Sequence, residues 1–263
     1  MPVSAANASH CSMPDSRKNA SFVPSPCKIV AFGSALLLAV TLIGAGFAAV
    51  AIPDAATAAL SQAFSGCDQP NTPFTTDELT SMAIAGKRYT FDDNDREKLD
   101  AAIAEANATA EVDGRTEALT RESAARSLPA DAISHLDDVY RVASVAKPAL
   151  AIVAVLCVAG LAHVAVRISR RALGRTLMAG GGLVLAAFCA LGAWAAIDFD
   201  GLFASIHSLF FQAGTWTFPY DSLLITLYPT AFWMGMGGIW LAVTCIASII
   251  CIIVGRLLRS ETE

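Results

Sequence analysis

Four long apolar stretches, separated by polar segments of very unequal length, set the pattern of this chain. Residues 29–52 are uncharged and follow directly on Lys28. Residues 148–166, 177–197 and 231–254 repeat the pattern. About 20 apolar residues in a helix cross a hydrocarbon core roughly 30 Å thick, so each stretch reads as a transmembrane helix. A secretory signal would have a shorter apolar region of about 7–15 residues, so 29–52 reads as an uncleaved anchor. Residues 1–28 have no apolar period and are rich in Ser, Ala, Asn and Pro, the composition of a disordered tail. His10 lies in that tail and is given no role.

The segments between the spans are not alike. Residues 53–147 form one long polar segment. Within it, 54–128 is acidic, alanine-rich and helical in propensity. Residues 96–110 read as an amphipathic helix with Leu99, Ile103 and Ala106 on one side. Asp92, Asp93, Asn94 and Asp95 read as a turn and cap cluster, without the alternating spacing of a calcium loop. Residues 129–147 predict a second amphipathic helix, with Pro129 and Asp131 at its start and Ile133, Leu136, Val142 and Ala146 along one stripe. Pro148 is expected to separate it from the second span and leave it resting near the membrane face. Residues 198–230 are too apolar for an ordinary solvated loop. Gly214, Pro219 and Pro229 break them too often for another span, which predicts an interfacial cap segment.

Charge orients the chain. The short segment 167–176 holds Arg167, Arg170, Arg171 and Arg175 and no acid. Lys28 precedes the first span, and Arg256 and Arg259 lie in the tail 255–263. Segment 198–230 holds Asp198, Asp200 and Asp221 and no Lys or Arg. Basic short loops stay in the cytoplasm. Both termini and 167–176 are therefore expected inside, with 53–147 and 198–230 outside. The predicted fold class is an all-α membrane protein, four transmembrane helices under an extracytoplasmic helical cap. A mean hydropathy of +0.54 agrees with a chain whose first partners are membrane lipids. The net charge of -5, without a basic stripe, excludes nucleic acid as a partner. Cys157, Cys189, Cys245 and Cys251 fall inside spans and read as small hydrophobes; only Cys67 falls in the outer segments, so no disulfide is expected. Gly180, Gly181 and Gly182 read as close helix packing, since no strand precedes them and no Lys-Ser/Thr follows, as a phosphate cradle would need. Nothing in the pattern sets an oligomeric state.

Two histidines remain as candidate chemistry. His135 stands four residues after Asp131 and three before Asp138, so either carboxylate can share its helix face. A carboxylate bonded to one ring nitrogen sets the tautomer and makes the other a better base. A solvated surface histidine is the plainer alternative. In the cap segment, Asp200 can cap a short helix over 201–211. On it Phe203, Phe210 and Phe211 surround His207 at helical spacing. Such burial lowers an imidazole pKa and keeps the ring neutral, as a general base must be. The alternative is a histidine in an interfacial aromatic belt. His163, with no acid nearby, reads as a snorkelling or packing residue. His135 and His207 are expected on the same side at similar depth, which suggests one shared site. There is no Gly-x-Ser-x-Gly, no His-Glu-x-x-His, and no Ser or Cys placed as a nucleophile beside either histidine. A nucleophile would then come from the substrate, and a substrate reached from the outer leaflet would be lipidic.

The cap segment resembles the hallmark region of the bacterial lipoprotein intramolecular transacylases. The matching text is Phe203, His207 and Phe211, then Gly214-Thr215-Trp216, then Asp221 followed by Leu224-Ile225-Thr226-Leu227-Tyr228-Pro229-Thr230-Ala231-Phe232-Trp233. One extra residue stands between Asp221 and Leu224 relative to the family pattern. A second family motif resembles His135-Leu136-Asp137-Asp138-Val139. The resemblance covers about residues 129–254. It implies transfer of the sn-2 acyl chain of a diacylglyceryl-cysteine lipoprotein to the α-amine of that cysteine, giving the lyso form. Diacylated bacterial lipoproteins would be the substrate. His135 and His207 would be the acid and base, and Asp138 would orient His135. Phe203, Phe210, Phe211, Trp216, Asp221 and Trp233 would confine the substrate. Exchange of an ester for an amide runs downhill, so neither cofactor nor metal is implied. Two rival readings stand beside this one. His135, Asp138, His207 and Asp200 could form a zinc site in an interfacial metalloenzyme. Alternatively, the acidic segment 54–128 could bind a partner in a non-enzymatic adaptor.

Overall fold

The computed structural model describes residues 26–120 and 122–260. The expected tail over 1–28 falls almost wholly outside them. The described residues are helical, without a strand. Four helices are long and apolar enough to cross a membrane: α1 (Pro26–Ala51), α5 (Ala130–His163, continued by a π-helical turn over Val164–Ile168), α6 (Arg170–Ile197) and α9 (Thr230–Ser260).

α5 corrects one expectation. Pro148 does not end the amphipathic helix over 129–147; it lies inside a single helix of 34 residues. A proline removes one backbone hydrogen bond and crowds the preceding turn, but packing on both sides can hold the helix through it. Here the first half packs on the helix Thr76–Phe91 and the second on α1. At about 1.5 Å per residue the helix is roughly 50 Å long, well over the hydrocarbon thickness. Its first half, with Ala132, Ile133, His135 and Leu136 buried, therefore stands in the cap above the spans.

The spans approach each other closely at small residues. A Cβ added to Gly174 would sit 2.5 Å from the Gly255 carbonyl oxygen, and one added to Gly255 would sit 2.6 Å from that of Gly174. Gly180 is packed in the same way on Ala35, and Gly181 on Ser248, whereas Gly182 faces open space. α6 thus touches α1 and α9 backbone to backbone, where dispersion over close contact holds membrane helices together. Gly174→Ala is expected to cost about 1–3 kcal/mol, because the obstructing atom is backbone and cannot rotate away. A lowered thermal midpoint in detergent checks it.

The cap is built on one core from segments 53–147 and 198–230. α2 (Asp54–Phe64), α3 (Thr76–Phe91), α4 (Arg96–Val112), the first half of α5 and the short α8 (Leu223–Leu227) form its walls. Leu79, Met82, Leu99, Ile103, Leu136, Leu223 and Leu227 fill it. Thr75 and Glu78 close a capping box at the start of α3, and Asp95 caps α4 through the Glu97 and Lys98 amides. On α4 the stripe of Leu99, Ile103 and Ala106 is buried, together with Ala110.

Arg126 pins the connection into α5. Its Nη2 donates to Glu111 Oε1 at 2.6 Å, its Nε to Asn107 Oδ1 at 2.8 Å, and its Nη1 to the Leu119 carbonyl at 3.2 Å. The Leu223 amide then donates to the Ala124 carbonyl at 2.6 Å, joining this connection to α8. A second set of bonds ties residues 65–69 to residues 220–227: Ser65 Oγ to Leu227 O, Gly66 N to Thr226 O, and Gln69 Nε2 to Tyr220 O, all within 2.9 Å. Gly66 adopts φ +72°, a conformation that favours glycine, to make that turn.

Candidate active site

α7 (Phe199–Phe210) follows α6 after a single residue. Its cap is Asp198 rather than Asp200. The Asp198 Oδ1 accepts from the Gly201 amide at 2.8 Å. Asp200 falls in the first turn instead. No α7 residue is buried, so the helix lies on the rest of the molecule rather than within it.

One face of α7 carries His207. Its ring lies 4.0 Å from that of Phe203, one turn earlier, 4.9 Å from Trp216 and 5.7 Å from Phe211. His207 Nδ1 is 2.9 Å from the Phe203 carbonyl oxygen. A carbonyl only accepts, so Nδ1 carries the proton and the neutral ring keeps its lone pair on Nε2. α5 supplies the opposing wall. His135 is buried, with its ring centre 6.2 Å from that of His207 and the planes inclined by 29°. Phe211 stands 5.0 Å from it and Phe218 5.6 Å. His135 Nδ1 is shielded from solvent and has no hydrogen-bond partner among the described residues.

Both rings are poised to stay neutral. Burial pushes the His135 pKa down from 6.5 to about 4; the nearby His207 adds to this and Asp138 opposes it. Burial also lowers His207, partly offset by its bond to Phe203. Two imidazolium charges this close disfavour one another, so at most one ring of the pair takes up an extra proton.

The other expected site residues divide. Asp138 does not bond His135: its Oδ1 pairs with Arg141 Nη1 at 2.8 Å, since a guanidinium competes better for a carboxylate than a neutral imidazole does. Asp131 accepts from the Ala132 amide and is likewise occupied. Trp233 forms a second layer, 5.8 Å from Phe203 and 5.9 Å from Tyr228. Phe210 points away: it is exposed and meets Phe211 but neither histidine. Asp221 is exposed and bonds neither histidine. Phe218 is a site residue the spacing analysis missed. The available signal was its place two residues after Trp216, in the irregular segment that follows α7. Among the described residues no three His, Cys, Asp or Glu side chains converge to hold a metal ion. The four suggested zinc ligands do not come together.

The arrangement can therefore take a proton at His207 Nε2, give one at His135, and exclude water with aromatic rings. A family model described as the lipoprotein intramolecular transacylase Lit matches residues 110–233, which contain both histidines. No curated protein matches the chain. Among solved structures, that of the membrane integral lipoprotein intramolecular transacylase Lit from Bacillus cereus is similar over 90% of this chain and 97% of its own, at 17% identity and a TM-score of 0.69. A form of that protein with one histidine replaced by alanine matches over 90% of this chain and 94% of its own, at 16% identity and a TM-score of 0.65. A form with histidine replaced by arginine matches over 90% and 93%, at 17% identity and a TM-score of 0.63. At these identities the likeness carries the fold: four spanning helices under a helical cap.

Proposed function

We propose that His135 and His207 together carry out the transfer step of this multi-pass membrane acyltransferase, whose residues 110–233 match the lipoprotein intramolecular transacylase family. The substrate in this reading is a bacterial lipoprotein whose N-terminal cysteine bears a diacylglyceryl thioether and a free α-amine. The amine nitrogen attacks the sn-2 ester carbonyl. A C–N bond forms and the C–O bond to glycerol breaks. His207 accepts the proton lost by nitrogen at Nε2, the lone pair left free by its bond to Phe203. His135 gives its ring proton to the departing glyceryl oxygen, and the His207 imidazolium restores it. The balance closes with an amide, a glyceryl hydroxyl and two neutral rings.

The observation that carries the proposal is the facing pair itself: two neutral imidazoles with centres 6.2 Å apart, drawn from different helices and covered by Phe203, Phe211, Trp216 and Phe218. A substrate bridging them meets an acceptor on one side and a donor on the other. A free α-amine has a pKa of about 7.7–8.0, so neutral groups beside it favour its reactive, uncharged form. The aromatic cover keeps water from competing for the ester. The Arg167, Arg170, Arg171 and Arg175 loop supports an orientation with both termini cytoplasmic and the histidines at the outer face.

Expression in bacteria that otherwise retain the diacylglyceryl form tests this. Fragmentation mass spectra of a lipoprotein N-terminal peptide are expected to show one acyl chain moved from glycerol to nitrogen. His135→Ala, present in the membrane at wild-type level, is expected to leave both chains on glycerol. Unchanged transfer by that variant would refute the two-histidine step.

A further inference from the structure

We infer that the Trp216 indole Nε1–H binds the carbonyl oxygen of the migrating acyl group and stabilises the negative charge it gains. The inference rests on the acyl transfer proposed above and adds a third participant to it.

Attack on an ester carbonyl moves charge onto the carbonyl oxygen, and donors already aimed at that oxygen lower the barrier. The site must supply one. Phe203, Phe211 and Phe218, which line the pair with Trp216, carry no polar atom. His207 commits its Nδ1 proton to the Phe203 carbonyl, and the His135 proton is needed at the leaving oxygen. Trp216 alone among the four lining rings has an N–H. That Nε1 is shielded from solvent and has no hydrogen-bond partner among the described residues. An indole nitrogen can only donate. A shielded donor left without an acceptor costs about 1–3 kcal/mol, a cost that an arriving acceptor removes.

Distance favours the same assignment. The Trp216 ring centre is 4.9 Å from that of His207. The attacking nitrogen must lie within hydrogen-bond reach of His207 Nε2 and about 3–3.5 Å from the carbonyl carbon. The carbonyl oxygen is then only about 1.2 Å beyond that carbon. An acceptor of the required kind therefore forms next to the indole. The hydrogen bond transfers no proton: it shortens as the oxygen becomes anionic and relaxes when the amide forms. Phe203, whose ring centre is 6.5 Å from that of Trp216, and Trp233 behind it hold the indole in place.

Two variants and one spectrum test this. Trp216→Phe removes the donor and part of the ring. An analogue of Trp216 in which sulfur replaces the indole N–H removes the donor alone. Both are expected to fold with unchanged circular dichroism and to lower kcat by about 10²–10³-fold, the usual loss of one oxyanion donor, with KM little altered. Independently, wild-type protein labelled with ¹⁵N-tryptophan is mixed with an N-acetylated diacylglyceryl-cysteine peptide, which can bind but cannot transfer. The Trp216 indole resonance is expected to shift downfield. A sulfur analogue with wild-type kcat, or a bound peptide that leaves that resonance in place, overturns the inference while acyl transfer stands. Wild-type protein that neither binds the peptide nor transfers an acyl chain overturns the proposed reaction and this inference together.

Discussion

His207→Ala is expected to slow acyl transfer by about 10²–10⁴-fold, the usual weight of a positioned general base. The loss should fall on kcat, because the alanine leaves Phe203, Trp216 and Phe211 to bind the substrate. His135→Ala should be similarly slow. The double variant should be little worse than either single one, because residues that act as a unit are not additive. His207→Gln keeps a side chain that can donate to the Phe203 carbonyl but supplies no basic lone pair, and should be nearly as slow as alanine. The histidine ionisations make a second readout. Both pKa values are lowered by burial, His135 to about 4. An unfolded chain binds protons at these rings below about pH 6.5, where the folded chain resists them. The contribution to stability is therefore whole above about pH 6.5 and is lost as the pH falls toward the folded values. An NMR titration of the purified protein should find the His135 ring still neutral at pH 5. A midpoint near 6.5 would contradict the buried pair.

Arg126→Ala is expected to cost about 3 kcal/mol or more of cap stability, in the range for breaking a buried ion pair from one side. Arg126 is only 3% exposed, and its guanidinium bonds Glu111, Asn107 and the Leu119 carbonyl at once. Removing it leaves Asn107 Oδ1 and the Leu119 carbonyl without that donor. The consequence reaches the site through the backbone. The Arg126 carbonyl accepts from Asn107 Nδ2 at 2.9 Å, and three residues later Pro129 opens the helix that carries His135. A lower thermal midpoint with faster proteolysis between α4 and α5 is the expected result. Arg126→Lys should recover little, because one ammonium cannot reproduce the planar fork on several acceptors. Loss of activity should follow loss of folded protein, in contrast to His207→Ala, which should keep the wild-type midpoint.

Span positions, the amphipathic faces of α4 and α5, and the rings one turn either side of His207 were legible because each is a local period. Leu99, Ile103 and Ala106 share a face by helical spacing alone, and the structure buries them together. Phe203 and Phe211 flank His207 for the same reason. Spacing also admitted Phe210, which the helix turns away from the histidines. It named Asp200 as the cap of α7, a place that Asp198 takes, because the two acids are chemically equal and only backbone angles separate them.

By itself the sequence determined that this chain spans a membrane four times, carries a helical cap, and holds one histidine in each of the two segments, 53–147 and 198–230, that build it. Those properties follow from runs, periods and residue types along the chain. Only the tertiary structure decided the rest. It set the rings of His135 and His207, 72 positions apart in the chain, with centres 6.2 Å from one another. It gave Asp138 to Arg141 rather than to His135. It brought Phe218 against the pair and carried α5 unbroken through Pro148. Each of these outcomes is a competition among neighbours: two partners for one carboxylate, or packing on two sides against one lost backbone bond. Spacing can name the competitors, but the energies that choose between them arise only when the helices meet.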